Sequence, residues 1–394
     1  MKLKRKVAVT VIAISGLVLS SSPAFAGQIN GSGATFAAPL IDVCKTEFTK
    51  DTGHTVNYAA VGSGRGRTDF ASNLVDFAGS DTPYTSGFPA HLEYMPVLGA
   101  PVAIMYNLPT VKESIYLSES TLAQIFSGFI TNWNDPLIAK DNERTIKTTT
   151  FKTQKITTTL KGKKVTKTVP VLDKKGKPVV ASTTSKVVNI DLPNQQITVY
   201  YRTDSSGTSE SFGAFLKGAN AGANERLWPK AGNTTFANGT PNNISTYFNF
   251  QGASGSALVA AGVKGKVGGI GYGEVSFATD NGLKVANIRN AAGEFTAPTS
   301  AGTAAFLGGG IINENGTFSV DYAKKIPGAY SLGIASYGLA YPADANKNAE
   351  TQKIVAQWFT YLLEQCPKKF PEKGFIQITG PLYDKAKAQI AKIK

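Results

Sequence analysis

Ile197-Thr198-Val199-Tyr200-Tyr201-Arg202-Thr203-Asp204-Ser205-Ser206-Gly207-Thr208-Ser209 passes from strand chemistry to helix chemistry in one step. Its first five residues are β-branched or aromatic, which suits a pleated strand. Phe212, Phe215 and Leu216, which follow, recur at helical spacing. A strand that turns directly into a helix predicts an α/β chain. The turn carries a guanidinium, hydroxyls and a glycine. The first N–H groups of a helix lack an intrahelical acceptor and point outward, so Arg202, Ser206 and Thr208 would add donors around the same spot. A tetrahedral oxyanion fits such a set. Taken alone, the segment fits equally well a Ser206 or Thr208 helix cap beside a surface Arg202–Asp204 pair.

Repetition shifts that balance. Gly31-Ser32-Gly33-Ala34-Thr35-Phe36 leads into residues 37–50, where Leu40, Ile41, Cys44 and Phe48 recur every three or four residues, which puts Thr35 and Phe36 at a helix N-terminus. The strand-like run 56–61 is followed by Gly62-Ser63-Gly64-Arg65-Gly66, where glycines let backbone approach an anion and Ser63 adds a donor. Val75-Asp76-Phe77-Ala78-Gly79-Ser80-Asp81 then ends in a carboxylate before Thr82-Pro83. As an isolated residue, Asp81 reads as an ordinary turn former. Several helix N-termini converging on one point would instead form an anion-selective cleft.

In their order along the chain, Gly31–Phe36, Tyr58–Gly64, Val75–Pro83, Arg202–Ser209 and Ile270-Gly271-Tyr272-Gly273-Glu274 resemble the phosphate-binding protein of the bacterial high-affinity phosphate ABC transporter. The resemblance runs through nearly the whole chain beyond the N-terminal leader, apart from one insertion. It implies a two-lobed periplasmic-binding-protein architecture of type II, α/β in class, with a hinge and an exposed β-rich insertion. It implies a phosphate site formed by Thr35, Phe36, Ser63, Asp81, Arg202, Ser206, Gly207 and Thr208, with Asp204 holding the arginine and Gly62 and Gly64 in support. Arg65 departs from the family, which usually has a small residue there; its charge either adds to the mouth of the site or points into solvent. The partners implied are inorganic phosphate and the permease subunits of an ABC transporter, with the protein acting as a monomer and without a cofactor.

Asp81 makes chemical sense among donors only if the ligand carries a proton. A carboxylate accepts from the P–OH of hydrogen phosphate, whereas sulfate at neutral pH presents a bare oxygen. The carboxylate is then a filter that works by repulsion. Two other functions compete: binding of another tetrahedral oxyanion such as sulfate or molybdate, and hydrolysis of phosphate esters by a secreted phosphatase. Catalysis is poorly supported, because His54 and His91 stand in unrelated contexts, no metal-ligand spacing occurs, and Ser206 has no evident base. We therefore expect a binding protein, not an enzyme.

At 394 residues the chain can hold two lobes with cores of their own. Residues 1–26 read as a signal peptide, with basic residues at the start, an apolar run, and Ala24-Phe25-Ala26 as cleavage site, so an exported, periplasmic or cell-surface protein is expected. No lipoprotein cysteine stands at that site. The net charge of +14 does not point to nucleic acid: residues 140–196 hold thirteen Lys and Arg against four acids, and the leader holds four positives more, which leaves the rest nearly neutral. The basic, Thr-rich insertion reads as an exposed β-hairpin or three-stranded meander over Lys152–Leu160, Val165–Leu172 and Val179–Ile190. It fits either a solvated decoration or a weak contact with an acidic cell surface. Cys44 and Cys366 lie on apolar helical stripes, which suits a disulfide or two buried thiols. We expect lobe one at 27–103 and 335–394, and lobe two at 104–334.

Overall fold

The computed structural model describes residues 26–160, 163–343, 345 and 347–393. The expected signal peptide lies outside the described residues except for Ala26, and so does the turn at Lys161-Gly162.

One mixed sheet runs through the molecule. Its strands are β1 (Gln28–Gly33), β2 (Thr55–Ala60), β3 (Phe77–Ser80), β4 (Glu93–Tyr106), β5 (Thr198–Arg202), β6 (Phe250–Ala253), β7 (Gly269–Glu274), β8 (Lys284–Val285) and β9 (Gly333–Ala340). They lie in the order β6-β5-β7-β4-β9-β3-β1-β2, with β8 also paired to β4. At each end the pairs are parallel: β1 with β2 and β3, β5 with β6 and β7. Parallel strands need crossovers, and helices supply them. The centre is antiparallel, and β4 is its spine. Residues Glu93–Pro101 pair with β9, then Val102–Tyr106 pair with β7. Pro101 has no N–H to give, which suits the point where the strand changes partner. The chain thus passes from one half of the sheet to the other at residues 101–102.

Four helices start at the C-terminal ends of parallel strands or the turns after them. They are α1 (Ala38–Thr52), α2 (Ser63–Ala71), α3 (Gly207–Ala219) and α4 (Ser256–Gly265). In α1 Pro39 suits the first turn, Leu40, Ile41, Cys44 and Phe48 are buried, and Gly53 ends the helix at φ 77° with its N–H on the Thr49 carbonyl. Burying each large apolar side chain of this stripe contributes about 1.5–3 kcal/mol. The stripe packs on α5 (Ala349–Glu364), where Trp358 meets Phe48 edge-on at 5.3 Å. Cys44 and Cys366 are joined as a disulfide across this contact, with Cα atoms 5.8 Å apart.

The segment from Ser300 to Ala329, expected in lobe two, touches both halves. Phe306, Leu307 and Ala329 cluster with Ile376, and the Tyr337 hydroxyl accepts from Phe318 N–H at 3.0 Å, while Tyr322 packs edge-on against Phe215 of α3.

The insertion is β-rich and exposed, and of the two expected arrangements it has hairpin pairing and not a three-stranded meander. Arg144–Phe151 pairs antiparallel with Val180–Val188, and Thr153–Leu160 pairs with Lys163–Pro170. Lys152, Val171 and Val179 exchange backbone hydrogen bonds of 2.8 Å at the junction of the two ribbons. The expected third strand therefore pairs with Arg144–Phe151, which was not anticipated as a strand. Both faces are exposed, so no burial pattern specifies register or partner in advance. The ribbons span residues 144–188, inside the expected 140–196; residues 136–141 form a short helix instead.

Candidate anion site between the lobes

The four helix N-termini converge on one buried cluster. From one half come Thr35 and Phe36 ahead of α1, and Gly62 and Ser63 at the start of α2. The other half supplies Ser206, Gly207 and Thr208 at the start of α3, and Gly255 and Ser256 at the start of α4. The halves meet closely. Thr35 Oγ1 and Ser256 Oγ share a hydrogen bond of 3.0 Å, and Gly64 N–H donates to the Ser205 carbonyl at 3.0 Å. Gly62, at φ 94°, adopts a conformation that other residues avoid, and a Cβ there would stand 2.6 Å from Asp204 Oδ2. At Gly207 an added Cβ would stand 2.7 Å from Ser63 Oγ and 2.9 Å from Asp81 Cβ. Only glycine lets these turns approach.

Arg202 is the positive centre and is 1% exposed. Its Nε donates to Asp204 Oδ1 at 2.6 Å, its Nη2 donates to Asp204 Oδ2, and its Nη1 donates to Ser256 Oγ at 3.0 Å. Asp204 also accepts from Gly255 N–H at 2.9 Å. Burial would raise the Asp204 carboxyl, but the hydrogen bonds and charge of Arg202 outweigh that and hold it below the usual carboxylate range. The guanidinium is thereby fixed by two carboxylate contacts, with one edge turned to the α4 terminus.

Asp81 faces it from the end of β3 and is 4% exposed. Its Oδ2 accepts from Thr208 Oγ1 at 2.9 Å, its Oδ1 accepts from Ser336 Oγ at 3.0 Å, and its own N–H donates to Ser63 Oγ at 3.1 Å. Burial pushes its carboxyl up to about 6, against the pull of the Thr208 and Ser336 hydroxyls and the charges of Arg202 and Arg67. Ser206 is the cap of α3, with Ser209 N–H donating to its Oγ at 3.1 Å. Among the described residues, the N–H groups of Phe36, Ser63, Gly207 and Thr208 have no protein acceptor. Such donors favour an anion at the point they share.

Every residue expected at the site lies in this cluster except Arg65. Its side chain turns outward, 64% exposed, and pairs with Asp69 one turn along α2 at 2.6 Å, so it brings no charge to the cleft. Sequence reasoning missed four contributors. Ser256 was legible, because Gly252-Ala253-Ser254-Gly255-Ser256 repeats the strand–turn–helix pattern of Gly62-Ser63. Ser336 sits inside the apolar strand β9, and only the sheet register brings it opposite Asp81. Arg67 donates to the carbonyls of Thr82 at 2.9 Å and Pro83 at 2.7 Å, which pins the loop after Asp81. Thr82 in turn donates to Glu210 of α3 at 2.6 Å, a further bond between the halves. A cavity of about 520 Å³ opens beside Thr35 and Ser256, walled by Pro39, Val43 and Phe277. His54 accepts from Gly27 N–H at 3.1 Å, at the end of the sheet away from the cluster. Among the described residues there is no group of His, Cys, Asp and Glu with the makings of a metal site, and no helix long and apolar enough to cross a membrane.

The fold agrees with what the chain is similar to. Residues 20–365 match the family described as the PBP superfamily domain. The phosphate-binding protein PstS2 of Mycobacterium bovis is 30% identical over 331 residues, covering 79% of this chain and 72% of that one. The PstS protein of Haemophilus influenzae is 26% identical over 383 residues, covering 95% and 96%. Against the PstS3 protein of Mycobacterium bovis, also 30% identical, the match covers 72% of this chain but only 65% of that protein's length. In three dimensions, a phosphate-binding protein from Stenotrophomonas maltophilia superposes with a TM-score of 0.59 at 19% identity, covering 92% of this chain and 93% of that one. A high-affinity periplasmic phosphate-binding protein solved with phosphate bound gives 0.61 at 20% identity, with the same coverage. The two-lobed α/β fold is thus shared at low identity, and the chain belongs to the PBP superfamily, in the family of PstS phosphate-binding proteins.

Proposed function

We propose that this protein binds inorganic phosphate outside the cytoplasm and hands it to the permease of an ABC transporter. The observation that carries the reading is the pairing of one buried carboxylate with converging donors. Arg202, Ser63, Thr35, Ser256 and the free N–H groups of Phe36, Gly207 and Thr208 would hold the anionic oxygens. Asp81 would accept the ligand's own proton, taking the place in which it now accepts from Thr208. A fully ionised sulfate would meet a carboxylate without a proton to share, so the site favours hydrogen phosphate. Asp204 would keep the guanidinium aimed.

Residues 27–101 with the C-terminal stretch from about 333 form one lobe in this reading, and most of 102–299 forms the other, with the segment 300–329 bridging them. Ligand between the lobes would hold them together and create a surface for the permease. The relatives' names, phosphate-binding proteins, support binding over catalysis. The proposed action is binding alone, with Asp81 serving as acceptor for the ligand's proton.

Calorimetry on desalted protein tests this. One phosphate per chain should bind, with sulfate failing to displace it at a large excess. No heat with phosphate, or equal displacement by sulfate, would refute the reading.

A further inference from the structure

The insertion has no part in the cleft, and its charge is unlike that of the lobes. Between Lys152 and Lys186 nine lysines are described against a single acid, Asp173. That carboxylate is already engaged, because Oδ1 accepts from the N–H groups of Lys175 at 2.8 Å and Lys177 at 2.9 Å. Among the described residues, none of these nine lysines joins an ion pair, while Lys45, Lys50, Lys369, Lys387 and Lys392 on the lobes all do. Ordinary protein surfaces mix the two signs, since a one-sign patch repels itself. A ribbon that keeps lysines and omits acids carries a cost that a merely solvated decoration would not need.

Register shows how the charge is laid out. Thr159 faces Lys164 and Lys155 faces Thr168, so Lys155 and Lys164 share one face of the outer ribbon. Ile156 faces Lys167 and residue 160 faces Lys163, so Lys163 and Lys167 share the other. At about 3.3 Å per residue, the two lysines on each face stand roughly 13 Å apart along the ribbon. The first face is otherwise Thr153, Thr157, Thr159, Thr166 and Thr168 with Pro170, and a hydrogen bond of 2.9 Å links Thr157 to Thr166. Hydroxyls between cations give neutral donors along the same track.

From this layout we infer that the outer ribbon, Thr153–Pro170, is a docking surface for a flexible linear polyanion. Charge complementarity supports the polyanion. The two-faced layout selects a flexible chain over a bilayer, because a plane can touch one face only, whereas a polymer can wrap both. Membrane-surface segments also need a wide apolar face with aromatic anchors. Here one face offers Ile156 at 43% and Val165 at 37% exposure with a half-buried Val169, interrupted by Lys163 and Lys167, and the ribbon has no aromatic residue. Such docking would hold the binding protein at an acidic cell surface while leaving the cleft free.

The test uses the full mature chain in buffer saturated with inorganic phosphate, so that the cleft is occupied, and long-chain inorganic polyphosphate as the probe. Binding should weaken by more than about tenfold between roughly 50 and 200 mM salt, as contacts made through several charges do. A K155Q/K163Q/K164Q/K167Q variant should lose at least about tenfold in polyphosphate affinity and keep its phosphate affinity, which also reports that the lobes are folded. A matched variant at Lys112, Lys264, Lys266 and Lys325 of the lobes, each to Gln, should bind polyphosphate like the parent. Equal polyphosphate binding by the ribbon variant would overturn the inference. So would binding insensitive to salt, or vesicles of phosphatidylglycerol that capture the parent more tightly than the polymer does.

Discussion

Replacing Asp81 by Asn probes the selectivity of the site at one atom. In the folded protein Asp81 is 4% exposed and accepts from Thr208 and Ser336 at 2.9 and 3.0 Å, so a ligand oxygen set against it has no water to share. Phosphate can turn a P–OH toward it; sulfate can only turn an oxygen. A site built to accept a hydrogen bond rejects the analogue lacking the donor by about 10⁴–10⁵, or roughly 5–7 kcal/mol at 1.4 kcal/mol per decade. The Asn side chain keeps one oxygen for Thr208 or Ser336 and gains an N–H₂ that can donate to any oxyanion. Phosphate should lose about 1.5–3 kcal/mol with the charge-assisted bond, while sulfate gains. The phosphate-to-sulfate ratio of Asp81→Asn should therefore fall by at least about a hundredfold. Competition calorimetry near pH 8, above the point at which the Asp81 carboxyl titrates, measures both affinities. A parent ratio near unity, or a variant ratio equal to that of the parent, would refute the reasoning.

Four further outcomes are expected. Arg202→Ala should cost about 2–5 kcal/mol of phosphate binding, the range for losing one partner of a buried charge pair; a folded variant with parental affinity in the same titration would contradict it. Burial raises the Asp81 carboxyl to about 6, so as pH falls through that value it becomes neutral and able to donate, and sulfate affinity should rise; a flat profile from pH 8 to 5 would remove the carboxylate from the mechanism. Burial also pushes the Glu274 carboxyl up to about 8, against hydrogen bonds from Ser276 N–H and Oγ. The folded state then holds a proton that the unfolded state has released, so this group's contribution to stability is fully present below the usual Glu range and is lost as pH rises through about 8. Denaturant melts should show Glu274→Gln gaining on the parent across that window, and a constant difference would argue otherwise. Removing the disulfide with Cys44→Ser and Cys366→Ser should lower stability by about 2–5 kcal/mol in such melts and leave phosphate affinity intact, because the bond lies behind α1, away from the cleft.

Local signals made most of the fold readable. The stripe of Leu40, Ile41, Cys44 and Phe48 marked α1, and the β-branched run before Arg202 marked β5, because both features are dictated by neighbours in sequence. The cluster of helix N-termini was readable for the same reason: Gly-Ser turns at strand ends place donors at helix N-termini wherever the rest of the chain lies. Ser256 obeys that rule and was passed over. Ser336 could not have been found this way, since a lone serine in an apolar strand acquires its role only through the β3–β9 register. For Arg65 the turn alone left mouth and solvent both open, and Asp69 at i+4, which captures it, decides for solvent. In the insertion the Lys/Thr alternation announced strands, but with two wet faces it held no information about which strand pairs with which.

A crystal structure of the protein grown with phosphate bears most directly on the central claim. One phosphate should lie between the lobes. Two of its oxygens should meet the Arg202 guanidinium and the N–H groups at the starts of α1, α2 and α3, and its protonated oxygen should lie within hydrogen-bond distance of Asp81. Phosphate bound elsewhere, or bound in the cleft with Asp81 turned away from it, would contradict the account.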